Sequence, residues 1–293
     1  MKMTVDILLV CYNQQLFVRQ ALESIFIQRI DATVRLIIAD DGSSDDTLSI
    51  IKELAGRSPF EIVYLPDDGN HGISQNYYRA FEVCGGDYIA ILEGDDYWSS
   101  PYHLKQHTDL LDAHRECSMS MNSYVVKYEE TGELKPAVWI FSDAQHYVTV
   151  REQIAGGNQL GNLSSCVLRT SCVKKLPREL FDLPVADWML GVMLSQQGLL
   201  AILKESTSVY RVNAHSQWAS MTSAKQLDRM LKLADMYDSF QDGKYHTYWE
   251  SFKKQLHHER NLSKKEWLPP FVIALWRSCI PPALKRILRK RDK

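Results

Sequence analysis

The feature that most constrains the fold is the alternation of short apolar segments with amphipathic ones over the first hundred residues. Buried-strand patterns occur at 5–10, 34–39, 60–65 and 88–92, and helical spacing of apolar residues occurs between them at 15–28, 47–55 and 72–83. Strands that alternate with helices of this length pair in parallel through right-handed crossovers. The sequence therefore predicts a doubly wound α/β sheet, in which ligands bind at the carboxyl ends of the strands.

The pattern loosens beyond residue 100 but still predicts regular elements. Helical spacing occurs at 103–114 and 187–197, strand-like spacing at 118–128, 166–169 and 199–210, and a turn is expected at 129–134. Apolar residues then keep helical spacing over 224–260. We expect this last segment to form a helical C-terminal appendage.

Charge is divided unevenly along the chain. Residues 264–293 hold nine basic and two acidic residues, a net charge of +7, whereas residues 1–263 carry −9. An acidic body argues against nucleic acid as a partner, and a short basic tail favours a negatively charged surface.

The cysteines and the hydropathy pattern favour a cytoplasmic protein. Six cysteines are scattered without a CxxC pair or a zinc-like spacing, as expected for reduced, buried thiols. The apolar stretch at 7–10 is too short for a signal-peptide core. No apolar run approaches the roughly 18 residues that a membrane-spanning helix needs.

An acidic turn follows the fourth predicted strand. In the segment ILEGDDYW, the carboxylates of Glu93, Asp95 and Asp96 fall within four positions. Crowded carboxylates repel one another unless a cation or hydrogen-bond donors lie beside them. Hard oxygen ligands of this kind suit Mg²⁺ or Mn²⁺. The alternative is a solvated acidic turn.

A second acidic segment, DDGSSDDT at 40–47, follows the second predicted strand. Asp-Gly-Ser forms turns, and Ser44 or Asp45 could cap the helix that begins near Thr47. This explanation leaves Asp40 unaccounted for, because Asp40 directly follows an apolar strand. A carboxylate at that point could accept the imide or amide hydrogens of a nucleobase.

Taken in order, these segments resemble family-2 glycosyltransferases of the GT-A fold. The resemblance rests on CYN after the first strand, then ADDGSSDDT, DDGNHGISQNYYRA and GGDYIAILEGDDYW, and it covers residues 3–100. A weaker match continues to about residue 215 through three short segments, Asn162–Ser165, Ala186–Trp188 and Tyr210–Val212. It implies a nucleotide-sugar-binding half at 1–100 and a half at 101–220 with the acceptor site and catalytic base. Residues 221–293 have no counterpart in the resemblance and are expected to form a helical extension with the basic tail.

The resemblance implies a nucleotide-diphosphate sugar donor, UDP-linked, with inversion at the anomeric carbon. It assigns the nucleotide and donor to Val10, Tyr12, Asn13, Asp40, Asp41, Arg79 and Asp95. Val10 and Tyr12 would form the base pocket with the Tyr12 ring stacked on the base, and Asp40 would bond a uracil-type edge. Arg79 would approach the diphosphate, unless it is a solvated helix residue.

The same resemblance implies a divalent metal, Mn²⁺ or Mg²⁺, and a general base. Asp96 would hold the metal that bridges the diphosphate, and His215 would complete the metal or phosphate site unless it is an incidental surface histidine. Asp187 would be the base, with a helix N-cap as the alternative. Direct displacement needs a base on the acceptor side and a cation on the donor side, and this assignment supplies both.

Departures from the family pattern refine the expected function. The Gln-x-x-Arg-Trp motif of processive synthases is absent and no membrane span is predicted, so we expect transfer of a single sugar. In the tail, apolar residues at helical spacing stand among basic ones, and Trp267 and Trp276 accompany them. Such a segment lies in a membrane interface, unless it is a solvated basic terminus.

We therefore expect an inverting glycosyltransferase at the inner face of the cell membrane. Residues 267–293 would contact that membrane, and the acceptor would be a lipid-linked glycan of surface polysaccharide or cell-envelope synthesis. Two other classes remain open: a nucleotidyltransferase, and a non-catalytic nucleotide-sugar-binding protein.

Overall fold

The computed structural model describes residues 2–137, 147–158, 160–184, 187–213 and 221–263, with side chains up to 258. Over these ranges one sheet contains the strands β1 Thr4–Cys11, β2 Thr33–Asp40, β3 Glu61–Tyr64, β4 Tyr88–Glu93, β5 Tyr97–Trp98, β6 Cys117–Tyr128, β7 Glu133–Pro136, β8 Tyr147–Val148, β9 Cys166–Arg169 and β10 Leu199–Val212. The helices are α1 Val18–Phe26, α2 Thr47–Ala55, α3 Ile73–Val83, α4 His103–Ala113, α5 Val150–Ala155, α6 Thr170–Val173, α7 Asp187–Ser195, α8 Ser223–Phe240 and α9 His246–Ser263.

The strands follow the spatial order β3-β2-β1-β4-β9-β6-β10-β5, with β7 paired to β6 and β8 paired to β10. β1 is parallel to β2 and β4, β2 is parallel to β3, and β6 is parallel to β10. β9 runs antiparallel between β4 and β6. The predicted doubly wound, mostly parallel α/β sheet is confirmed.

The sheet is covered on both faces, which explains why its central strands are apolar throughout rather than alternating. In β1, Leu8 and Val10 pack into the core on the side of α3 and α7. Ile7 and Leu9 pack into a second core on the side of α1, α2 and α4. Successive residues of a strand point to opposite faces, so one apolar run serves both cores.

Several short elements differ from the sequence-based expectation. The segment expected to be a turn over residues 129–134 is a turn only at its start, because β7 begins at Glu133. All four residues of β7 are exposed, so no apolar pattern reveals the strand, which pairs with β6. β8 and α5 were likewise not predicted.

The helical C-terminal extension is present as α8 and α9, and it completes the core beside α5 and α7. The Trp188 ring of α7 lies 5.2 Å from the ring of Trp249 and 4.8 Å from that of Phe252, measured between centroids. Trp249 and Tyr237 are fully buried. The basic tail at 264–293 lies outside the described residues. Among the helices that are described, none is both long and apolar enough to cross a membrane.

Candidate active site

The candidate site lies at the carboxyl ends of β1, β2 and β4. The register places Val10 beside both Ala39 and Glu93, and Cys11 beside Asp40. The polar segments that follow these three strands therefore emerge next to one another. The expected meeting of the two acidic segments at one sheet edge is the result of this register.

The loops after β1 and β2 are tied together by hydrogen bonds. The Asn13 side-chain oxygen accepts from the Ser44 amide at 2.8 Å, and the Asn13 amide donates to Ser43 Oγ at 2.9 Å. The Ser43 amide in turn donates to an Asp40 carboxylate oxygen at 2.9 Å. Tyr12 leaves this paired loop with its side chain 49% exposed, free to meet a planar ligand. Val10 is buried in the core beneath it.

Asp41 points away from Asp40 and holds the loop that precedes α3. Its two carboxylate oxygens accept from the amides of His71 at 2.8 Å and Gly72 at 3.0 Å. The Asn70 side chain donates to the Asp41 carbonyl at 2.9 Å. Asp41 is buried, whereas Asp40 remains partly exposed. In this structure Asp41 holds the loop at residues 70–72 in place, and Asp40 is the more exposed member of the pair.

Arg79 supports the same loop from α3. Its guanidinium donates to the Pro66 carbonyl at 2.6 Å and to Asp68 Oδ1 at 2.5 Å. The same oxygen of Asp68 lies 2.9 Å from the His71 ring. Arg79 is 17% exposed, so it is not the solvated helix residue considered from the sequence.

The acidic turn after β4 separates its carboxylates into two environments. Asp96 is fully buried, and its carboxylate accepts from Ser164 Oγ at 2.6 Å and from the Arg211 amide at 2.8 Å. Glu93 and Asp95 are partly exposed. The Glu93 carboxylate accepts from the Tyr77 hydroxyl at 3.1 Å. Asp96 is thus enclosed and Asp95 is the more exposed aspartate of the turn, and the assignment of a metal to Asp96 stays a prediction.

Negative charge is crowded in this turn. Burial, together with the charges of Asp95 and Asp187, raises the pKa of Glu93 to about 8. Burial also raises the pKa of Asp95, and burial with the charges of Asp95 and Glu93 raises that of Asp96 well above its usual value. A hard divalent cation beside one or two of these carboxylates would relieve this unfavourable charge.

Asp187 lies at the first position of α7, close enough to the turn for its charge to raise the pKa of Glu93. One carboxylate oxygen accepts from the Trp188 amide at 2.8 Å and the other from Asn158 Nδ2 at 2.8 Å. Burial raises the pKa of Asp187 above its usual value. The amide contact at the helix start and a role as a base are compatible, because each carboxylate oxygen keeps a further lone pair.

The family model described as glycosyl transferase family 2 matches residues 6–163, which is more than half of the chain and includes the acidic turn. The chain belongs to glycosyl transferase family 2. Relatives extend the match: a Mycobacterium tuberculosis protein of uncharacterised function is 32% identical over 218 residues, 73% of this chain and 60% of that protein. The Bacillus subtilis protein EpsH is 29% identical over 130 residues, 44% of this chain and 36% of its own length. The family 2 chain thus spans about 60% of the length of its mycobacterial relative.

Solved structures share the fold of this family 2 chain. TarS of S. aureus with UDP-GlcNAc has a TM-score of 0.59 at 16% identity, over 79% of this chain and 66% of that one. A mannosyltransferase of Pyrobaculum calidifontis with GDP-Man and Mn²⁺ has a TM-score of 0.60 at 13% identity, over 86% and 69% of the two chains. At these identities the likeness shows the GT-A fold.

Two observations concern the expected metal ligands. His215 lies outside it, within residues 214–220. Among the residues of the family 2 chain that are described, no three His, Cys, Asp or Glu side chains form a group that could hold a metal ion.

Some residues that support the acidic turn of this family 2 protein could not be identified from the sequence. Glu93 was counted among the crowded carboxylates but received no role. Ser164 and Arg211 lie in two segments that carried the weaker part of the resemblance, and they bind the Asp96 carboxylate from opposite sides. The sequence signal for Ser164 and Arg211 was their position in segments that match the family. Their contacts with the acidic turn are visible only in the folded structure.

Proposed function

We propose that this family 2 chain transfers a single sugar from a nucleotide-diphosphate donor to an acceptor hydroxyl, with inversion at the anomeric carbon. The observation that supports the proposal is that the charge of Asp187 acts on Glu93, which lies at the end of β4 beside β1. Direct displacement requires a cation site beside the donor and a base beside the acceptor. The acidic turn would supply the first and Asp187 the second.

The nucleotide binds over the β1 and β2 loops. Tyr12 stacks on the base, Asp40 accepts hydrogens from its edge, and Asn13 keeps the loop between them in place through Ser44. Asp41 and Arg79 act indirectly by fixing the loop at 66–72. We propose UDP as the nucleotide, which agrees with the uracil-type edge that Asp40 suits. TarS, whose fold is similar, binds UDP-GlcNAc.

A divalent cation, Mn²⁺ or Mg²⁺, belongs beside Asp95. The residues fit such a cation, because the partly exposed Asp95 carboxylate offers hard oxygen ligands while Asp96 is enclosed beneath it. Protein sites hold these ions with one or two carboxylates and complete the shell with phosphates and water. When bound, the cation stabilises the negative charge of the departing diphosphate. His215 remains a candidate second ligand.

Asp187 takes the proton of the acceptor hydroxyl while that oxygen attacks the anomeric carbon and the bond to the diphosphate breaks. Its raised pKa favours proton acceptance over that of an ordinary aspartate, because a base works best when its pKa approaches the working pH. Asn158 holds one carboxylate oxygen and so orients the other lone pairs. Attack on the face opposite the diphosphate gives inversion.

The base assignment is tested with Asp187→Asn, and Asp109→Asn serves as the control. Asp109 is an exposed aspartate of α4, paired with Lys105 far from the turn. Sugar transfer by Asp187→Asn should fall about 10²–10⁴-fold while calorimetry shows unchanged UDP binding with Mn²⁺. The control should keep both. Near-native transfer by Asp187→Asn would remove Asp187 from the mechanism.

The acceptor we propose is a lipid-linked glycan at the cytoplasmic face of the membrane, in surface polysaccharide synthesis. The support is the sequence of residues 264–293, whose +7 charge and two tryptophans suit an anionic membrane surface. Flotation with phosphatidylglycerol vesicles should recover the full chain, and a chain ending at 263 should stay with the soluble fraction. Equal flotation of the two chains would exclude the tail as the anchor.

A further inference from the structure

Arg211, at the end of β10, is a buried cation beside the acidic turn. Only 2% of its side chain is exposed. Arginine keeps its charge in proteins, so its burial requires partners for its N–H groups. Nε donates to Glu129 Oε1 at 2.8 Å, and Nη2 donates to the side-chain oxygen of Gln20. The guanidinium also lies over the Tyr97 ring, 4.8 Å from its centroid.

Arg211 contacts two residues of the turn in two different ways. Its side-chain Nη1 donates to the main-chain carbonyl of Asp95 at 3.0 Å, and its own amide donates to Asp96 Oδ1 at 2.8 Å. The other Asp96 oxygen accepts from Ser164 Oγ, which itself accepts from the Glu93 amide at 3.1 Å. One arginine therefore fixes the peptide that carries Asp95, while the side chain of Asp96 anchors the turn from below.

These contacts exceed what is needed to neutralise a buried charge. Glu129 supplies an opposite charge directly at Nε, whereas the acceptor at Nη1 is the uncharged main-chain carbonyl of Asp95, so this second bond does more than pair an ion. The carbonyl and side chain of one residue share its Cα, and a fixed carbonyl restricts where the carboxylate can point. Asn213, two positions further along the chain, contacts that carboxylate at 3.4 Å.

We propose that Arg211 is a positioning residue for the donor site. It acts through Asp95, whose carboxylate it holds toward the cation and diphosphate, and it connects this turn to α1 through Gln20. Arg211 does not touch the donor itself. The inference rests on the proposed function, since it assigns Arg211 to the same cation and nucleotide site.

Lysine is the informative replacement. Arg211→Lys keeps the positive charge beside Glu129, but a lysine ammonium lacks the planar fork that reaches the Glu129, Gln20 and Asp95 acceptors together. Gln20→Leu removes one of these acceptors from an exposed position on α1, where folding is not at risk. The two variants weaken the same support to different degrees.

Arg169 provides a matched control at the opposite end of the sheet. Its guanidinium donates to the carbonyls of Cys117 at 2.7 Å and His114 at 3.3 Å, and it lies 5.5 Å from the centroid of the Tyr88 ring. Arg169 pairs with Tyr88 near the start of β4, whereas the acidic turn follows the end of that strand. Arg169→Lys therefore removes a comparable set of bonds without touching the turn.

The experiment is calorimetric titration of the full chain with UDP at a series of Mn²⁺ concentrations, beside thermal unfolding and steady-state kinetics. Arg211→Lys should weaken the Mn²⁺-dependent part of UDP binding about 10–100-fold, the usual effect of removing a residue that orients a metal ligand. Binding of UDP without metal should stay unchanged. Gln20→Leu should show a smaller loss in the same direction, and Arg169→Lys should lose thermal stability without any change in Mn²⁺ dependence.

The possible outcomes distinguish a failure of the Arg211 positioning role from a failure of the proposed function. If the unaltered chain binds UDP with Mn²⁺ and Arg211→Lys binds it with the same Mn²⁺ dependence, the positioning role is wrong and the proposed function stands. If Arg211→Lys and Arg169→Lys lose stability and affinity alike, Arg211 is only structural. If the unaltered chain binds no nucleotide at any Mn²⁺ concentration, the proposed function and the positioning role both fail.

Discussion

Gly42, in the loop after β2, is a position where a single methyl group should alter the proposed nucleotide site. Its φ of +73° is a left-handed backbone conformation. A Cβ at this position would lie 2.9 Å from the carbonyl carbon of Gly69, 3.0 Å from the Asn70 amide nitrogen and 3.2 Å from the Gly69 oxygen. All three are backbone atoms, so no side chain can rotate away to relieve the contact.

The chain contains a control for the backbone part of this effect. Gly132, in the turn before β7, has a φ of +70°, and a Cβ there would meet nothing within 4 Å. Alanine at either position adds about 1–2 kcal/mol of left-handed strain. Only Gly42→Ala adds crowding, which typically costs about 1–3 kcal/mol. The free energy of unfolding should therefore fall by about 2–5 kcal/mol for Gly42→Ala and by about 1–2 kcal/mol for Gly132→Ala.

Urea denaturation followed by circular dichroism measures both changes by linear extrapolation. Calorimetry with UDP then tests the local consequence, because the displaced atoms belong to the loop that Asp41 holds. UDP affinity should fall for Gly42→Ala and stay unchanged for Gly132→Ala. Equal losses of stability in the two variants would refute the reasoning, since the close backbone approach would then have no energetic effect.

Three further predictions concern stability and its pH dependence. Burial lowers the pKa of His107 to about 4, so the unfolded chain binds a proton at this histidine at a higher pH than the folded chain does. The free energy of unfolding should therefore be highest above pH 6.5 and fall by about 2 kcal/mol from pH 6.5 to pH 5. Urea titrations should show a shallower pH dependence for His107→Gln and an unchanged one for the exposed His257→Gln. Asp6→Ala leaves the Arg35 guanidinium and the amides of Gly85 and Gly86 without their buried partner, and the free energy of unfolding should fall by about 3–5 kcal/mol. The same urea titration should show a loss of about 0–1 kcal/mol for Glu53→Ala, which breaks an exposed ion pair. Equal losses in the two variants would contradict the burial argument. Thr149→Ala removes a capping box from α5 and should lower the free energy of unfolding, measured by urea titration, by about 1 kcal/mol. An unchanged value would show that the Thr149 hydroxyl does not stabilise the start of the helix.

The first half of the fold was predictable because its strands and helices are long and their periodicity is unambiguous. The α2 bounds Thr47–Ala55 and the β9 bounds Cys166–Arg169 agree with the sequence-based prediction to the residue. β5 and β8 have two residues each, which is too short for any periodicity to register. Their pairing with β10 is decided by tertiary structure alone.

The candidate site was predictable at the level of segments but not of individual carboxylates. The ends of β2 and β4 lie at the same edge of the sheet, on either side of β1, as expected from the sequence. Asp40 and Asp41 are adjacent and chemically identical, as are Asp95 and Asp96, so the sequence cannot say which member of each pair turns inward. That choice depends on distant donors, namely the amide of Gly72 for one pair and Ser164 for the other. Which aspartate of each pair is buried and which is partly exposed is therefore known only from the folded structure.

The reversed direction of β9 has a consequence for how this enzyme family can vary. Because β9 runs opposite to β4 and β6, the chain enters β9 at the edge where its neighbours end. The residues before the strand, including Ser164, thus reach the site, and those after it do not. Ser164, two residues before β9 begins, hydrogen-bonds to both Glu93 and Asp96 of the turn after β4. Insertions before Asn162 would therefore change the surroundings of this turn while every strand register stays the same.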